Sequence, residues 1–140
     1  MTVRNLKFMF KPSSVALIGA SQRTSSVGAV VARNLLGAGF EGEILPVNPK
    51  YKTIEGILCY PDVVSLPKPP DLAVIATPPD SVPGLIAELG AFGTKAAVVI
   101  TAGLGEGGSE EGQRLQKAML NVARPHLLRI MGPNCLGIMV

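Results

Sequence analysis

The sequence predicts a doubly wound α/β domain, Rossmann-like, with a mainly parallel sheet of about five strands and helices on both faces. Two observations carry that prediction. VALIG (15–19), EILPV (43–47), LAVIAT (72–77) and AAVVIT (96–101), with HLLRIM (126–131) as a fifth, are near-continuous apolar runs, as strands covered on both faces of a parallel sheet must be. Between them the apolar spacing becomes helical. Val27, Val30, Val31, Leu35 and Ala38 fall on one face, as do Val82, Leu85, Ile86 and Leu89, and then Leu115, Met119 and Val122. The order is β-α-β-β-α-β-α-β, and such sheets take ligands at the carboxyl ends of their strands, near the switch point.

The boundaries of the elements agree with this reading. Ser25 or Ser26 can cap the first helix, and Gly39 follows its end. Asp80 can cap the second, with Pro83 tolerated in its first turn and Gly90 or Gly93 closing it. Ser109, Glu110 and Glu111 place a cap and two carboxylates at the positive end of the third helix. The Pro-rich connector YPDVVSLPKPP (60–70) leaves room for a short extra strand or turn.

Composition narrows the function classes. The 140 residues are 47% hydrophobic, with no compositional break, so residues 1–140 read as one domain with a real core. The apolar runs fall far short of the ~20 residues a membrane-spanning helix needs, and Met1–Lys11 is no signal peptide; the chain reads as cytoplasmic and without a membrane partner. Thirteen basic residues against ten acidic are scattered rather than clustered, which excludes a nucleic-acid partner. Cys59, Cys135 and His126 do not make a metal site, and no catalytic constellation emerges. Cys59 reads as core, and His126 lies at the amino end of the sheet, away from the ligand edge.

The candidate site lies on the loops after the strands. Gly19, Ala20, Ser21 and Gln22 follow the first strand, and Val27 and Gly28 open the helix, so backbone N–H groups and a helix dipole can face a diphosphate. An ordinary strand-to-helix turn uses glycine as readily, and the loop is too long for G-x-G-x-x-G. After the second strand, where an NAD site needs an acidic residue for the ribose, stand Asn48, Pro49 and Lys50. A lysine there pairs with a phosphate on the ribose, which favours a 2′-phosphorylated dinucleotide or coenzyme A with its 3′-phosphate. Thr77, Pro78 and Pro79 make a stiff apolar wall suited to an adenine or a pantetheine arm. Ile100, Thr101 and Ala102 precede a glycine-rich loop on the same edge.

VALIGAS (15–21) with Val27-Gly28, VNPK (47–50), ATPPDSV (76–82), VVITAGLGEGG (98–108) and GPNCLG (132–137) together resemble the CoA-binding domain of the NDP-forming acyl-CoA synthetases. That superfamily includes the succinyl-CoA synthetase alpha subunit and proteins fused to a GNAT-type acetyltransferase. The resemblance covers nearly the whole chain, with its motifs in family order. It implies that Gly19–Gln22 hold the CoA diphosphate and Lys50 a CoA phosphate, that Thr77-Pro78-Pro79 sit beside the nucleotide, and that Ile100-Thr101-Ala102 line the pantetheine side. The family has glutamate where this chain has Ala102. The family's phosphorylated histidine belongs to a following domain, so ATP or ADP would enter only through domains outside this chain, which by itself binds a CoA thioester and catalyses nothing.

The apolar end GIMV (137–140) favours a domain belonging to a longer multidomain protein, with other domains or subunits as partners and a homo-oligomer left open. The alternatives are a free-standing CoA-binding regulatory module and, third, an NADP-binding reductase domain.

Overall fold

The computed structural model describes residues 3–23, 26–37, 39–105 and 108–133. In chain order its elements are α1 (Leu6–Phe10), β1 (Ser14–Ile18), α2 (Val27–Gly37), β2 (Glu43–Val47), β3 (Thr53–Ile54), β4 (Ile57–Leu58), β5 (Leu72–Ile75), α3 (Val82–Phe92), β6 (Ala96–Val99), α4 (Glu110–Ala123) and β7 (Arg129–Met131). Five of the strands form one parallel sheet in the order β2-β1-β5-β6-β7, and β3 and β4 pair as a separate antiparallel hairpin.

Both faces of the sheet are covered because side chains along each strand alternate. Ala16 and Ile18 of β1 join the core under α3 and α4, with Ile86, Leu89, Leu115 and Met119. Val15 and Leu17 point the other way, to Met9 of α1 and Ala32 of α2. Every residue of β1, β5 and β6 is buried, the pattern of strands sandwiched between helical layers.

Four features differ from the sequence expectation. In α2, Val27 and Val30 are exposed and the buried residues are Gly28, Ala29 and Ala32, with Val31 and Leu35 half-buried. Small residues let the helix axis approach the sheet closely, and close approach outweighs the greater hydrophobicity of the valine face. A 3₁₀ turn, Pro79–Ser81, precedes α3, so Asp80 is not its cap; Ser81 holds the N-cap position and turns its hydroxyl back to Thr77 and Pro78. The extra strands are the 53–58 hairpin rather than part of 60–70, where only Tyr60 bridges to Val47. Finally, β7 is short because a 3₁₀ turn, Arg124–His126, and a left-handed Leu127 precede it.

Other boundaries follow the expectation. Ser26 Oγ accepts from the Ala29 N–H and Ser109 Oγ from the Gly112 N–H, while Gly93 closes α3 at φ 117°. Ser25, Ala38, Glu106, Gly107 and the segment 134–140, with Cys135 and most of GPNCLG, lie outside the described residues.

Candidate functional site

The strand order fixes where a ligand can go. From β1 the chain moves to the neighbouring β2 and then returns to the other side of β1 as β5, so the connections after β1 and β5 leave over opposite faces. That divergence opens a crevice at the carboxyl ends of β1 and β5. A groove of about 310 Å³ occupies it, lined by Gly19, Asn48, Pro49, Pro61, Asp62, Val63, Thr77, Pro78, Ser81, Leu85 and Glu88, among others. Its volume is at the lower end of the range for small-molecule sites, enough for one end of a long ligand.

Gly19 lines the groove, and Gly28 packs against it from beneath. Gly19 has φ 94°, and a Cβ there would lie 2.6 Å from the Ala76 oxygen; a Cβ on Gly28 would lie 2.0 Å from the Gly19 oxygen. The first turn of α2 therefore sits directly against the end of β1, and no side chain fits between them. Among the described residues none takes a hydrogen bond from the backbone N–H of Ala20, Ser21 or Gln22, and the loop lies beside the N-terminus of α2.

The side chains of that loop brace it. Ser21 Oγ accepts from the Arg23 N–H and lies 3.4 Å from the Tyr51 hydroxyl; Gln22 Nε2 donates to the Thr53 oxygen at 3.0 Å. Ala20 is fully buried. Asn48 Nδ2 donates to the Ala20 oxygen at 2.8 Å, and Asn48 Oδ1 accepts from the Lys50 N–H at 2.9 Å. Lys50 is exposed and follows Pro49, which lines the groove. Across the groove, Thr101 Oγ1 donates to the Thr77 oxygen at 2.8 Å and Ser81 Oγ to Thr77 Oγ1 at 2.7 Å, which fixes the proline turn.

Of the residues expected from sequence, Gly19, Asn48, Pro49, Thr77 and Pro78 line the groove, while Ala20–Gln22 and Lys50 lie outside its lining and follow Gly19 and Pro49 in the chain. Val27, Pro79, Ile100, Thr101 and Ala102 are not in its lining. Gly28 and Thr101 act from beneath, as packing and as a hydrogen-bond donor. Ile18, Val47, Pro61, Asp62, Val63, Ser81, Leu85 and Glu88 line it without having been singled out. Ser81, Leu85 and Glu88 stand at i, i+4 and i+7, a single face of the helix, and that spacing was the available signal.

Cys59 is buried behind Asn48, its thiol 3.6 Å from the Asn48 oxygen, and burial raises its pKa above the ordinary 9.0 against a smaller opposing effect of that hydrogen bond. It is an inert core thiol. His126 packs against Gly90 at the other end of the sheet, where a glycine Cβ would meet its ring at 2.5 Å. Among the described residues there is no cluster of three or more His, Cys, Asp or Glu able to hold a metal, and no helix long and apolar enough to cross a membrane.

Residues 13–140 match the family described as the CoA binding domain. The chain belongs to the CoA-binding domain family. It is similar to the ADP-forming acetate–CoA ligase of Methanocaldococcus jannaschii, 46% identical over 134 residues that cover 96% of this chain and 18% of the ligase. The alpha subunit of ADP-forming acetate–CoA ligase I from Pyrococcus furiosus is 38% identical over 138 residues, 96% of this chain and 30% of that subunit. Among solved structures, the apo dinucleotide forming acetyl-coenzyme A synthetase 1 of Ca. Korarchaeum cryptofilum superposes with a TM-score of 0.88 at 40% identity, over 94% of this chain and 28% of that one. This CoA-binding domain thus spans less than a third of the length of each of these relatives. The doubly wound fold and the family resemblance expected from the five motifs agree with these matches.

Proposed function

We propose that the chain is the CoA-grip of an ADP-forming acyl-CoA synthetase, binding CoA or its thioester in the cytoplasm while the reacting groups lie in other domains or subunits. The observation that carries this reading is the groove at the β1/β5 switch point, with Gly19 and the Asn48-Pro49 turn facing Thr77-Pro78 and Leu85, and with Asn48 bonded to both Ala20 and the Lys50 N–H. In this reading the N–H groups of Ala20–Gln22 and the N-terminus of α2 hold the diphosphate, and Lys50 holds the 3′-phosphate. The groove between Pro49, Pro61 and Pro78 takes the adenosine end. The pantetheine arm leaves past Ile100-Thr101-Ala102. Bound CoA supplies the thiol that carries an acyl group as a thioester. The chain's own contribution is orientation: a rigid anchor at the nucleotide end limits where the thiol can travel.

Calorimetric titration of the chain with CoA, acetyl-CoA, dephospho-CoA, NADP and NAD tests the proposal. Saturable CoA binding that weakens on removal of the 3′-phosphate is the expected result. A preference for NADP would overturn it in favour of a reductase domain. The free-standing regulatory module predicts the same titration but a reading frame ending near Val140, whereas the synthetase reading expects further domains or a partner subunit.

A further inference from the structure

The Asn48 side chain makes two hydrogen bonds that point in opposite chemical senses. Its Nδ2 donates to the Ala20 oxygen in the diphosphate loop, and its Oδ1 accepts from the Lys50 N–H two residues on. A carbonyl on one side and an N–H on the other fix which way the amide faces. Aspartate lacks the donor, and alanine lacks both groups. The Asn48 backbone is anchored too: its N–H donates to the Tyr60 oxygen at 2.9 Å, and its oxygen accepts from the Cys59 thiol. The amide therefore works from a fixed pivot, half-buried, with its polar atoms directed at two loops.

We infer that Asn48 is a positioning residue that locks the diphosphate loop to the Lys50 turn, so that the diphosphate and the ribose phosphate of one ligand are gripped as a single rigid unit. This rests on the CoA reading above and goes beyond it, because it gives Asn48, itself in the lining of the groove, control over two contacts made by others. Without the lock, Lys50 keeps its charge but loses its place relative to the loop. Discrimination between ligands with and without the 3′-phosphate then falls even though the lysine is present.

The test is calorimetric titration of the 140-residue chain and its Asn48→Ala, Lys50→Ala and double variants with CoA and dephospho-CoA. The quantity read is the ratio of the two dissociation constants. Asn48→Ala is expected to lower that ratio towards the Lys50→Ala value, and the double variant to lower it little further, the non-additivity of residues acting as one unit. A wild-type ratio in Asn48→Ala, with both ligands weakened equally, overturns the inference while leaving CoA binding standing. If Asn48→Ala fails to fold, amide exchange on the wild-type chain with ADP, which has the diphosphate but no 3′-phosphate, decides instead. Slowed exchange at Lys50 together with Ala20–Gln22 supports the lock, and slowing confined to the loop overturns it. No CoA binding by the wild-type chain overturns both readings.

Discussion

Replacing Gly28 by alanine tests the contact on which the site is built. Helix propensity alone favours alanine, by about 1 kcal/mol in a helix interior. The packing argues the other way: the new methyl would stand 2.0 Å from the Gly19 carbonyl oxygen, a backbone atom that cannot rotate aside. Relief requires α2 to move out by more than about an ångström, and such overpacking costs roughly 1–3 kcal/mol. The expected net effect is a loss of up to about 2 kcal/mol, which at this chain length lowers the melting temperature by up to roughly 8 °C. Because the displaced turn also frames Ala20–Gln22, CoA affinity should fall as well, by about tenfold or about 1.4 kcal/mol. Gly84→Ala is the internal control: nothing lies within 4 Å of its Cβ and it sits inside α3, so alanine there should stabilise by about 0.5–1 kcal/mol. Urea denaturation followed by CoA titration reads both quantities. A Gly28→Ala protein as stable as Gly84→Ala, with unchanged CoA binding, would refute the close approach of α2 and its role in the site.

Lys50→Ala should weaken CoA by about fivefold, the ~1 kcal/mol of an exposed ion pair, and leave dephospho-CoA unaffected in the same titration. Ile86→Ala empties a fully buried position under the sheet and should cost about 2–5 kcal/mol in denaturant midpoints. Thr101→Val removes the 2.8 Å bond to the Thr77 oxygen and should cost about 1–2 kcal/mol, with the proline turn loosened enough to weaken CoA. Cys59 is raised by burial, so the folded state holds its thiol proton where the unfolded chain has released it. The stability this contributes is present in full below the unfolded value of 9.0 and is lost as the pH rises from there through the folded value. Wild type should therefore lose more stability than Cys59→Ala in urea melts above pH 9, and parallel curves would contradict the desolvated thiol.

The sheet was legible because parallel strands buried on both faces are written as uninterrupted apolar runs, and β1, β5 and β6 are fully buried. α2 was legible in place but not in orientation. Its valines suggest the buried face, yet packing chose Gly28, Ala29 and Ala32, and a scale that rewards side-chain size cannot register the gain from bringing two backbones together. The groove was half-legible for a related reason. Gly19, Asn48 and Pro78 lie at strand ends, where topology alone predicts ligands. Pro61 and Asp62 sit in a connector with no periodic pattern, and they reach the groove only because Tyr60 bridges to Val47 and carries the segment across. The hairpin β3–β4 was hidden for want of length: strands of two residues leave no alternation to read.

The Tyr60–Val47 bridge brings together in one groove parts that tolerate substitution differently. One part rests on Gly19, backed by Gly28, where an added side chain meets a main-chain atom. The rest of the lining includes Asp62, Leu85 and Glu88, which belong to a connector and a helix face and to no strand of the sheet. Substitution is therefore cheap at one end and costly at the other: three side chains can reshape the groove without disturbing the sheet, whereas a change at either glycine displaces backbone.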